Sequence, residues 1–401
     1  MIPAPPPIER FSTFTTCYWR ALNMPSDTKV TVYYGPLSWF DEQVEDLPCD
    51  SLMEIVYARD EVNRQLKVIV PGQQENEPEE RERSGHVVAE SGDYASLNEH
   101  AITNFAGFIR SIDPECLHLH NPPAHVHAQM ERTAKAIDVK RYEYPMVTRD
   151  TLIRFRNGFG SHLVGQAAVK ETLLAALYPL TTRRRTKPVV LMFYGPSGVG
   201  KTETAQFVND LLGGTLLRKQ FSMFHSDKFA SYLFGGMHGE PSFAHDLLDR
   251  ESGVILIDEF DKANSVFHSA FYQLFDSGVF EDKNYSVKIG PSLIICTSNY
   301  GSQNEIREAL GDALYSRFDS LVAFEPLSRD EILQVVERVV KARFAELSYE
   351  EQKYLDVDFL MARMGLFAEN STNVRKLGKI VEELISLILV RALLREEPEL
   401  E

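Results

Sequence analysis

Cysteine is scarce in this chain, and its spacing excludes a paired-cysteine motif. The four cysteines among the 401 residues are scattered and form no C-x-x-C pair: Cys17, Cys49, Cys116 and Cys296. Such usage is typical of reduced thiols in the cytoplasm rather than of a disulfide framework. We therefore expect a cytoplasmic protein that is stabilised by an apolar core.

Long apolar runs are also lacking. No stretch of 18 apolar residues occurs, and the nearest candidate, residues 384–394, contains Ser386 and Arg391. A membrane-spanning helix needs about 20 such residues, so this stretch is typical of an amphipathic helix. Residues 1–7, MIPAPPP, have neither the basic nor the apolar region of a secretory signal. We expect no membrane span and no signal peptide.

Positive charge is in deficit. Lys and Arg number 42 against 58 Asp and Glu, which gives a net charge of −16. This balance disfavours a nucleic-acid partner, although a local basic groove would be compatible with it. The triplet Arg183-Arg184-Arg185 is more typical of a solvated turn than of a nucleic-acid site. The absence of an Asn-Lys-x-Asp segment argues against a GTPase.

One glycine-rich stretch is the strongest signal in the chain. It consists of Gly195-Pro196-Ser197-Gly198-Val199-Gly200-Lys201-Thr202, between an apolar run at 188–194 and a predicted helix at 204–212. Strand, glycine loop, Lys-Thr and helix together are the context of a phosphate-binding loop. Glycine lets backbone N–H groups turn towards phosphate oxygens, and the helix N-terminus adds partial positive charge. Lys201 is expected to reach the β- and γ-phosphates, and the Thr202 hydroxyl to bind Mg²⁺.

Two later apolar strands end in polar residues. Residues 253–257 lead into Asp258 and Glu259, and residues 291–298 lead into Asn299. Ligands of open α/β sheets lie at the carboxyl ends of the strands. We expect Asp258 to hold Mg²⁺, Glu259 to act as general base for the attacking water, and Asn299 to orient water or contact the γ-phosphate. The alternatives are helix-capping acids and a turn asparagine.

The alternation of strands and helices after the loop predicts an α/β fold, a parallel sheet covered by helices on both faces. From residue 326 the pattern becomes helical and predicts a lid. Predicted helices occupy 329–347, 359–364 and 373–394. The expected domains are an N-terminal domain at 1–145, a large ATPase subdomain at 150–325 and a C-terminal helical lid at 326–401.

The N-terminal region carries no recognisable motif. Its pattern predicts strands at 28–34, 52–57 and 65–70, a mobile polar loop at 74–83 and a helix at 96–112. These elements suggest a small α+β domain, which we expect to recognise a partner.

A histidine cluster in this region is a candidate metal site: Cys116, His118, His120, His125 and His127. A strand would place His118 and His120 on one face, and a second strand after a Pro-Pro turn would do the same for His125 and His127. Four imidazoles at this spacing could bind zinc. An exposed hairpin face is the favoured alternative, because no acidic or thiol ligand completes a known spacing.

Six elements in this order resemble the AAA+ module of the Clp-type unfoldases, and their second ATPase module most of all. They are VGQ, GPSGVGKTE, ILIDEFDKA, CTSNYGS, SRFD and NVRKL, and they cover about residues 150–396. The resemblance implies an ATPase that uses ATP and Mg²⁺ and assembles into a homo-oligomeric ring, expected to be a hexamer, which acts on a protein partner.

The resemblance also implies site residues. Val164 and Gly165, with Gln166, would hold the adenine. The loop residues from Gly195 to Thr202, with Glu203, would hold the phosphates, and Asp258 and Glu259 would form the Walker B element. Asn299 would be sensor 1, Arg317 an arginine finger acting on the neighbouring subunit, and Arg375 the sensor 2 arginine. The alternative for both arginines is a surface ion pair.

Two departures from the family pattern bear on function. The segment Gly236-Met237-His238-Gly239 lacks the aromatic residue of the family's pore loop, although Met237 could still grip a chain. No Ile-Gly-Phe or Ile-Gly-Leu tripeptide lies between Asn299 and Arg317, so we predict no docking to a Clp-type protease chamber. Two hypotheses remain: a ring ATPase that unfolds or remodels a protein, and an ATP-gated assembly switch in a multi-component defence, secretion or assembly system. A DNA loader is disfavoured by the charge.

Overall fold

The computed structural model describes residues 28–64, 85–182, 184–223, 226–237, 239–368 and 374–396. It divides into two compact units. Of the described residues, the first unit contains those up to Glu143 and those within Asp227–Arg250 and Glu281–Val287, and the second unit contains the others. The three contiguous domains expected from the sequence, at 1–145, 150–325 and 326–401, stay a prediction. The predicted strand at 65–70, the loop at 74–83, Arg183, His238 and the last residues of the chain lie outside the described residues.

The elements below are numbered along the chain. The strands are β1 Lys29–Tyr34, β2 Cys49–Ser51, β3 His86–Ala89, β4 Cys116–His120, β5 Ile137–Arg141, β6 Val189–Tyr194, β7 Leu217–Gln220, β8 Val254–Asp258, β9 Val279–Glu281, β10 Ser286–Lys288, β11 Leu293–Thr297 and β12 Ser320–Ala323. The helices are α1 Leu37–Val44, α2 Leu52–Arg64, α3 Asp93–Ser96, α4 Glu99–Thr103, α5 Phe105–Ile112, α6 Ala124–Thr133, α7 Arg149–His162, α8 Ala167–Leu177, α9 Lys201–Leu212, α10 Ser226–Phe234, α11 Phe243–Leu248, α12 Tyr272–Ser277, α13 Gln303–Tyr315, α14 Arg329–Glu346, α15 Tyr349–Gln352, α16 Val357–Ala368 and α17 Val374–Glu396.

The first unit is built on a five-stranded sheet with the order β2-β3-β4-β1-β5. Every neighbouring pair in it is parallel. Parallel neighbours require crossover connections, and helices follow β1, β2, β3 and β4 along the chain. The region is therefore α/β, and the expected α+β class is corrected.

Two local predictions in this unit were wrong. Residues 52–57, predicted as a strand, form the first half of α2, with Leu52 and Met53 buried in the core. The single helix predicted at 96–112 is divided into α4 and α5 after the end of α3. Asparagines cap the later two: the side chain of Asn98 accepts from the N–H of Ala101, and that of Asn104 from the N–H of Gly107. Asparagine favours caps over helix interiors because its side chain competes for backbone hydrogen bonds.

The predicted histidine cluster does not assemble as a hairpin. His118 and His120 lie on β4, whereas His125 and His127 lie on α6, which begins after Pro123. Proline sets the backbone for a helix start. His120 bonds to the carbonyl of Gly35 at 2.8 Å, and burial lowers its pKa to about 4. The histidines of β4 are therefore buried rather than exposed.

The second unit is built on a five-stranded parallel sheet with the order β12-β6-β11-β8-β7. All six residues of β6 are buried, as are all five of β8 and of β11. Such continuous apolar strands are typical of a sheet covered on both faces, so the predicted α/β architecture is confirmed. Apart from the two large sheets, β9 and β10 form a two-stranded sheet.

The C-terminal helices α14, α16 and α17 share one apolar core. A capping box begins α14: the Ser328 hydroxyl accepts from the N–H of Glu331, and the Glu331 carboxylate accepts from the N–H of Ser328. The helical region predicted from residue 326 is therefore present. Within the described part of the chain, no helix combines the length and the apolar character needed to cross a bilayer.

Candidate nucleotide-binding site

A cavity of about 790 Å³ lies beside the glycine loop of the second unit. Its volume is in the range of small-molecule sites, roughly 300–1,000 Å³. Twelve of the residues predicted from the sequence line it: Val164, Ser197, Gly198, Val199, Gly200, Lys201, Thr202, Glu203, Asp258, Glu259, Asn299 and Arg375. Gly165, Gly195, Pro196 and Arg317 do not line it. We call this space the P-loop cavity.

The glycines of the loop adopt backbone angles that other residues resist. Gly195, Gly198 and Gly200 have φ values of 129°, 82° and 101°. A Cβ on Gly195 would lie 2.2 Å from the carbonyl oxygen of Phe324, which follows β12. Gly200 is the N-cap of α9, so the loop leads directly into a helix N-terminus that favours anions. The loop therefore has the backbone that the predicted phosphate site requires.

Lys201 joins the loop to the tip of β11. Its ammonium donates to the carbonyl of Gly195 at 2.6 Å, to that of Pro196 at 2.8 Å and to Oδ1 of Asn299 at 3.2 Å. The side chain is 8% exposed. Burial lowers the pKa of Lys201 to about 8; Arg375 adds to this effect, and Asp261 and Asp258 oppose it. The charge of Lys201 is thus sensitive to pH and to any anion that enters the cavity.

Asp258 ends β8 and is almost fully buried. Its Oδ1 accepts a hydrogen bond from the hydroxyl of Thr297 on β11. Its Oδ2 accepts from Nε of Arg218 on β7 at 3.1 Å, and also from Nη2. Both carboxylate oxygens therefore have partners from the two strands that flank β8 in the sheet.

Glu259 follows β8 in the left-handed conformation, with φ of 56°. Its N–H donates to the Thr297 hydroxyl at 3.0 Å, and its Oε2 accepts from the side-chain amide of Gln220 at 3.1 Å. A non-glycine residue at positive φ persists only where its surroundings hold it. These two contacts place the Glu259 carboxylate at the cavity wall.

Two residues suited to a magnesium ion line the same cavity, the Thr202 hydroxyl and the Asp258 carboxylate. Oxygen ligands of this kind are those that Mg²⁺ prefers. An ion at Oδ2 of Asp258 would compete with the Arg218 guanidinium. The two oxygen donors therefore fit magnesium provided that the Arg218 side chain moves away from Oδ2.

The predicted adenine segment lies between α7 and α8. Leu163 and Val164 line the cavity, whereas Gly165 turns the chain with φ of 68°. The side-chain amide of Gln166 donates to the carbonyl of Glu325 at 2.8 Å and accepts from its N–H at 3.2 Å. Gln166 therefore ties this segment to the chain that leaves β12.

The helical region supplies the far wall of the cavity. Leu327, Val335, Val339 and Val374 give it an apolar surface, beside Arg338 and Arg375. The guanidinium of Arg338 donates to the carbonyls of Ser161 and Gly160, at 2.8 and 3.0 Å. The lid helices thus close over the predicted adenine side.

Arg317 lies outside the P-loop cavity of its own chain. Its Nε donates to Asp276 at 2.8 Å, and its guanidinium lies 4.4 Å from the ring centre of Tyr272. The ion pair weighed as an alternative for this arginine is therefore present. A residue that serves a neighbouring subunit would also lie away from its own cavity.

Twelve of the lining residues were not predicted from the sequence, and four of them make the hydrogen bonds described above: Arg218, Gln220, Thr297 and Arg338. Arg218 and Gln220 face the cavity because β7 pairs with β8, with Gln220 opposite Asp258. Polar residues at the end of a strand were the available signal in the sequence. The strand itself was hard to recognise, because β7 has only four residues. Thr297 precedes Asn299 by two positions and was available to the same reasoning.

Comparison with known proteins supports this picture. The family model for the AAA domain (Cdc48 subfamily) matches residues 186–346, which contain the loop, Asp258, Glu259 and Asn299. A ClpA homologue from Fuscovulum blasticum is 28% identical over 242 residues, and the chaperone ClpB of Chlamydia pneumoniae is 26% identical over 290 residues. These matches cover 53% and 61% of this chain.

Residues 186–346 of this chain form an AAA domain, and this domain is similar to those of the Clp-type chaperones.

The AAA+ module resembles solved structures as well. A structure of the S. cerevisiae Hsp104:casein complex in an extended conformation matches with a TM-score of 0.51 and 22% identity, over 63% of this chain and 50% of that chain. A closed-state reconstruction of Hsp104 with ATPγS and FITC-casein matches with a TM-score of 0.53 and 14% identity, over 96% of this chain and 91% of that chain. At these identities the likeness concerns the fold.

Membership of the AAA+ class implies ATP and Mg²⁺ as ligands at the level of the family. The chain corresponds to about a third of the length of the curated relatives, 30% of the ClpA homologue and 33% of ClpB. The activity and partners of those longer proteins therefore do not transfer to this chain directly.

Proposed function

We propose that this protein hydrolyses ATP between neighbouring copies of itself and uses the energy to remodel a protein partner. One observation carries the proposal: Lys201, Asp258, Glu259 and Asn299 come from three separate segments and line one cavity at the ends of adjacent strands. Phosphoryl transfer depends on positioning and on stabilisation of charge, which such an arrangement provides.

In this proposal the residues predicted from the sequence have separate tasks. The loop N–H groups and Lys201 bind the phosphates. Thr202 and Asp258 would hold Mg²⁺, which would supply positive charge to the phosphate oxygens. Glu259 accepts a proton from the attacking water, and Asn299 orients that water. Gln220 holds the Glu259 carboxylate through its 3.1 Å hydrogen bond. Val164 and the apolar lid residues receive the base, and Arg375 adds positive charge at the phosphates.

Arg317 acts on the nucleotide of the next copy in this proposal. Its position outside its own cavity supports a contact in trans. The guanidinium would exchange the Asp276 carboxylate for a γ-phosphate, which carries more negative charge and more acceptor oxygens. Hydrolysis would then require a ring, expected to be a hexamer.

The partner is proposed to be a protein. Both Hsp104 structures contain casein, and Met237 in this chain is 73% exposed. Methionine adapts to varied apolar surfaces, so it suits a loop that grips unfolded chain.

The test is a comparison of phosphate release and partner capture. Wild-type protein should release phosphate, and Lys201→Met should not. Glu259→Gln should retain ATP and co-purify with a protein partner that Lys201→Met fails to hold. Phosphate release by wild type that equals the Lys201→Met background, with the partner present, would refute the proposal.

One observation favours a second candidate, an ATP-gated assembly switch without threading. The segment around Met237 lacks an aromatic residue. The carboxylate of Glu240 packs against Gly236, where a Cβ would lie 1.6 Å from Oε2 of Glu240. A threading machine should lose partner processing in Met237→Ser, whereas a switch should keep its ATP-dependent assembly and partner binding unchanged in that variant.

A further inference from the structure

We propose that the first unit binds one zinc-class divalent ion through Cys49, His86 and His118. The site is separate from the P-loop cavity, and none of its residues has a task in ATP hydrolysis. We call these three residues the strand triad.

The strand triad is assembled by three adjacent parallel strands. Cys49 on β2 is the register partner of His86 on β3, and His86 is the register partner of Cys116 on β4. His118 lies two positions beyond Cys116, so it shares the same face of the sheet. The opposite face carries apolar residues such as Val87 and Leu117, which belong to the core. The pleat therefore gathers thiol and imidazole groups on one face.

The ligand atoms of the strand triad are close enough for one ion. One ligand atom from each residue lies within 4.8 Å of the other two, and Nδ1 of His86 lies 3.0 Å from Nε2 of His118. Bond lengths of about 2.0–2.1 Å to nitrogen and about 2.3 Å to sulfur put tetrahedral ligands roughly 3.3–3.6 Å apart. Small side-chain rotations would reach those distances. A thiolate with two imidazoles favours zinc over magnesium or calcium.

A second contact prepares His118 for this task. Its Nδ1 lies 3.2 Å from the hydroxyl of Tyr33 on β1, and its Nε2 lies 3.0 Å from Nδ1 of His86. Metal-bound histidines almost always donate their other N–H to such a partner, and this fixes the tautomer and the ring orientation. Tyr33 is itself buried and packs edge-on against Phe40 at 5.1 Å between ring centres. Tyr33 is therefore a positioning residue for the ligand.

The surroundings allow an ion to enter and to remain. His118 is buried, whereas Cys49 and His86 are half-buried, so one side of the strand triad is open to solvent. Three protein ligands leave a fourth position for water or another donor. The ion would connect three strands, among them the three-residue edge strand β2, and should stabilise the folded first unit.

The experiment measures zinc binding by the full-length protein. Purified chain is equilibrated with zinc, desalted and analysed for metal content, and cobalt is substituted to detect the thiolate-to-metal absorption band. Cys49→Ser and His86→Asn remove ligands. Cys116→Ser is the matched control, since Cys116 shares the sheet face and the register position but is outside the strand triad. Circular dichroism and a cooperative thermal transition check that each variant is folded.

We expect about one zinc per chain in wild type and in Cys116→Ser, and an affinity at least about tenfold lower in Cys49→Ser and in His86→Asn. The thiolate-to-metal absorption band should vanish in Cys49→Ser and persist in Cys116→Ser. Zinc should also raise the unfolding temperature of wild type but not that of Cys49→Ser. Wild type that stays metal-free at micromolar zinc, or a Cys49→Ser variant with wild-type affinity, would overturn the proposal. A loss in Cys116→Ser as large as that in Cys49→Ser would overturn the assignment of the thiolate.

Discussion

The guanidinium of Arg218 donates two hydrogen bonds to the Asp258 carboxylate, the group that we expect to hold magnesium. The arginine is 44% exposed and the aspartate 7% exposed. The Arg218 guanidinium and an incoming magnesium ion are both positively charged, and they would compete for the same oxygen, Oδ2 of Asp258. We therefore expect the strength of this ion pair to set part of the magnesium requirement of the protein.

Arg218→Met should lower the magnesium concentration needed for half-maximal ATP binding. A partly exposed ion pair is worth roughly 0.5–1 kcal/mol, which corresponds to about a two- to fivefold change. Titration of ATP binding with magnesium measures it. Arg338→Met is the control, because Arg338 lines the same cavity but bonds to backbone carbonyls. An unchanged or higher magnesium requirement in Arg218→Met would contradict this competition.

Glu259→Gln should reduce phosphate release by about 10²–10⁴-fold, since a general base contributes roughly that factor. ATP binding should persist, because glutamine keeps the shape of the side chain. Single-turnover hydrolysis and binding of a fluorescent nucleotide separate the two effects. Gln220→Ala should cause a smaller loss through misorientation of the same carboxylate. Phosphate release in Glu259→Gln within threefold of wild type would assign the base to another residue.

The affinity for ATP should fall as the pH rises above about 8, the value to which burial lowers the pKa of Lys201. Bound phosphates favour the ammonium form and raise its pKa, so affinity should drop by up to about tenfold per pH unit between the free and bound pKa values. Dissociation constants measured from pH 7 to 9.5 give the slope. Lys201→Met should bind weakly at every pH and without this slope.

The expected fall in ATP affinity above pH 8 does not come from unfolding of the protein. The pKa of Lys201 is about 8 in the folded protein against 10.5 for an unperturbed lysine. Between these values the unfolded chain binds more protons, so the contribution of this residue to stability increases with pH. Unfolding temperatures should be measured for wild type and for Lys201→Met over the same pH range. We expect wild type to lose no more stability with rising pH than Lys201→Met does.

The phosphate loop was predictable because its chemistry is local. Contact of backbone N–H groups with phosphate requires glycines, a lysine and a helix start in one short stretch, and the sequence displays all of them. Asp258 and Asn299 were predictable for a related reason, because buried parallel strands appear as apolar runs and polar residues mark their ends.

Contacts between distant segments were not predictable in this way. The apolar run at 52–57 has a strand-like composition, but Leu52 and Met53 are buried on one side of a helix. The histidine cluster was sought at close spacing, whereas His118 meets His86 and Cys49 from other strands. Arg218 reaches Asp258 only because β7 is the neighbour of β8. Register across a sheet decides each of these pairings.

The contribution of Arg317 to a neighbouring subunit is the central claim, and a mixing experiment tests it most directly. Arg317→Ala subunits keep an intact cavity but lack the finger, and Lys201→Met subunits keep the finger but cannot bind ATP productively. Each alone should release no phosphate, and Arg307→Ala, which removes an exposed arginine paired with Asp312, should be as active as wild type.

Phosphate release is then measured after the two inactive variants are mixed. We predict that the mixture regains a substantial fraction of wild-type activity, because Arg317 of a Lys201→Met subunit completes the cavity of an Arg317→Ala neighbour. A mixture as inactive as its components, under conditions where wild-type protein forms rings and hydrolyses ATP, would contradict catalysis between subunits.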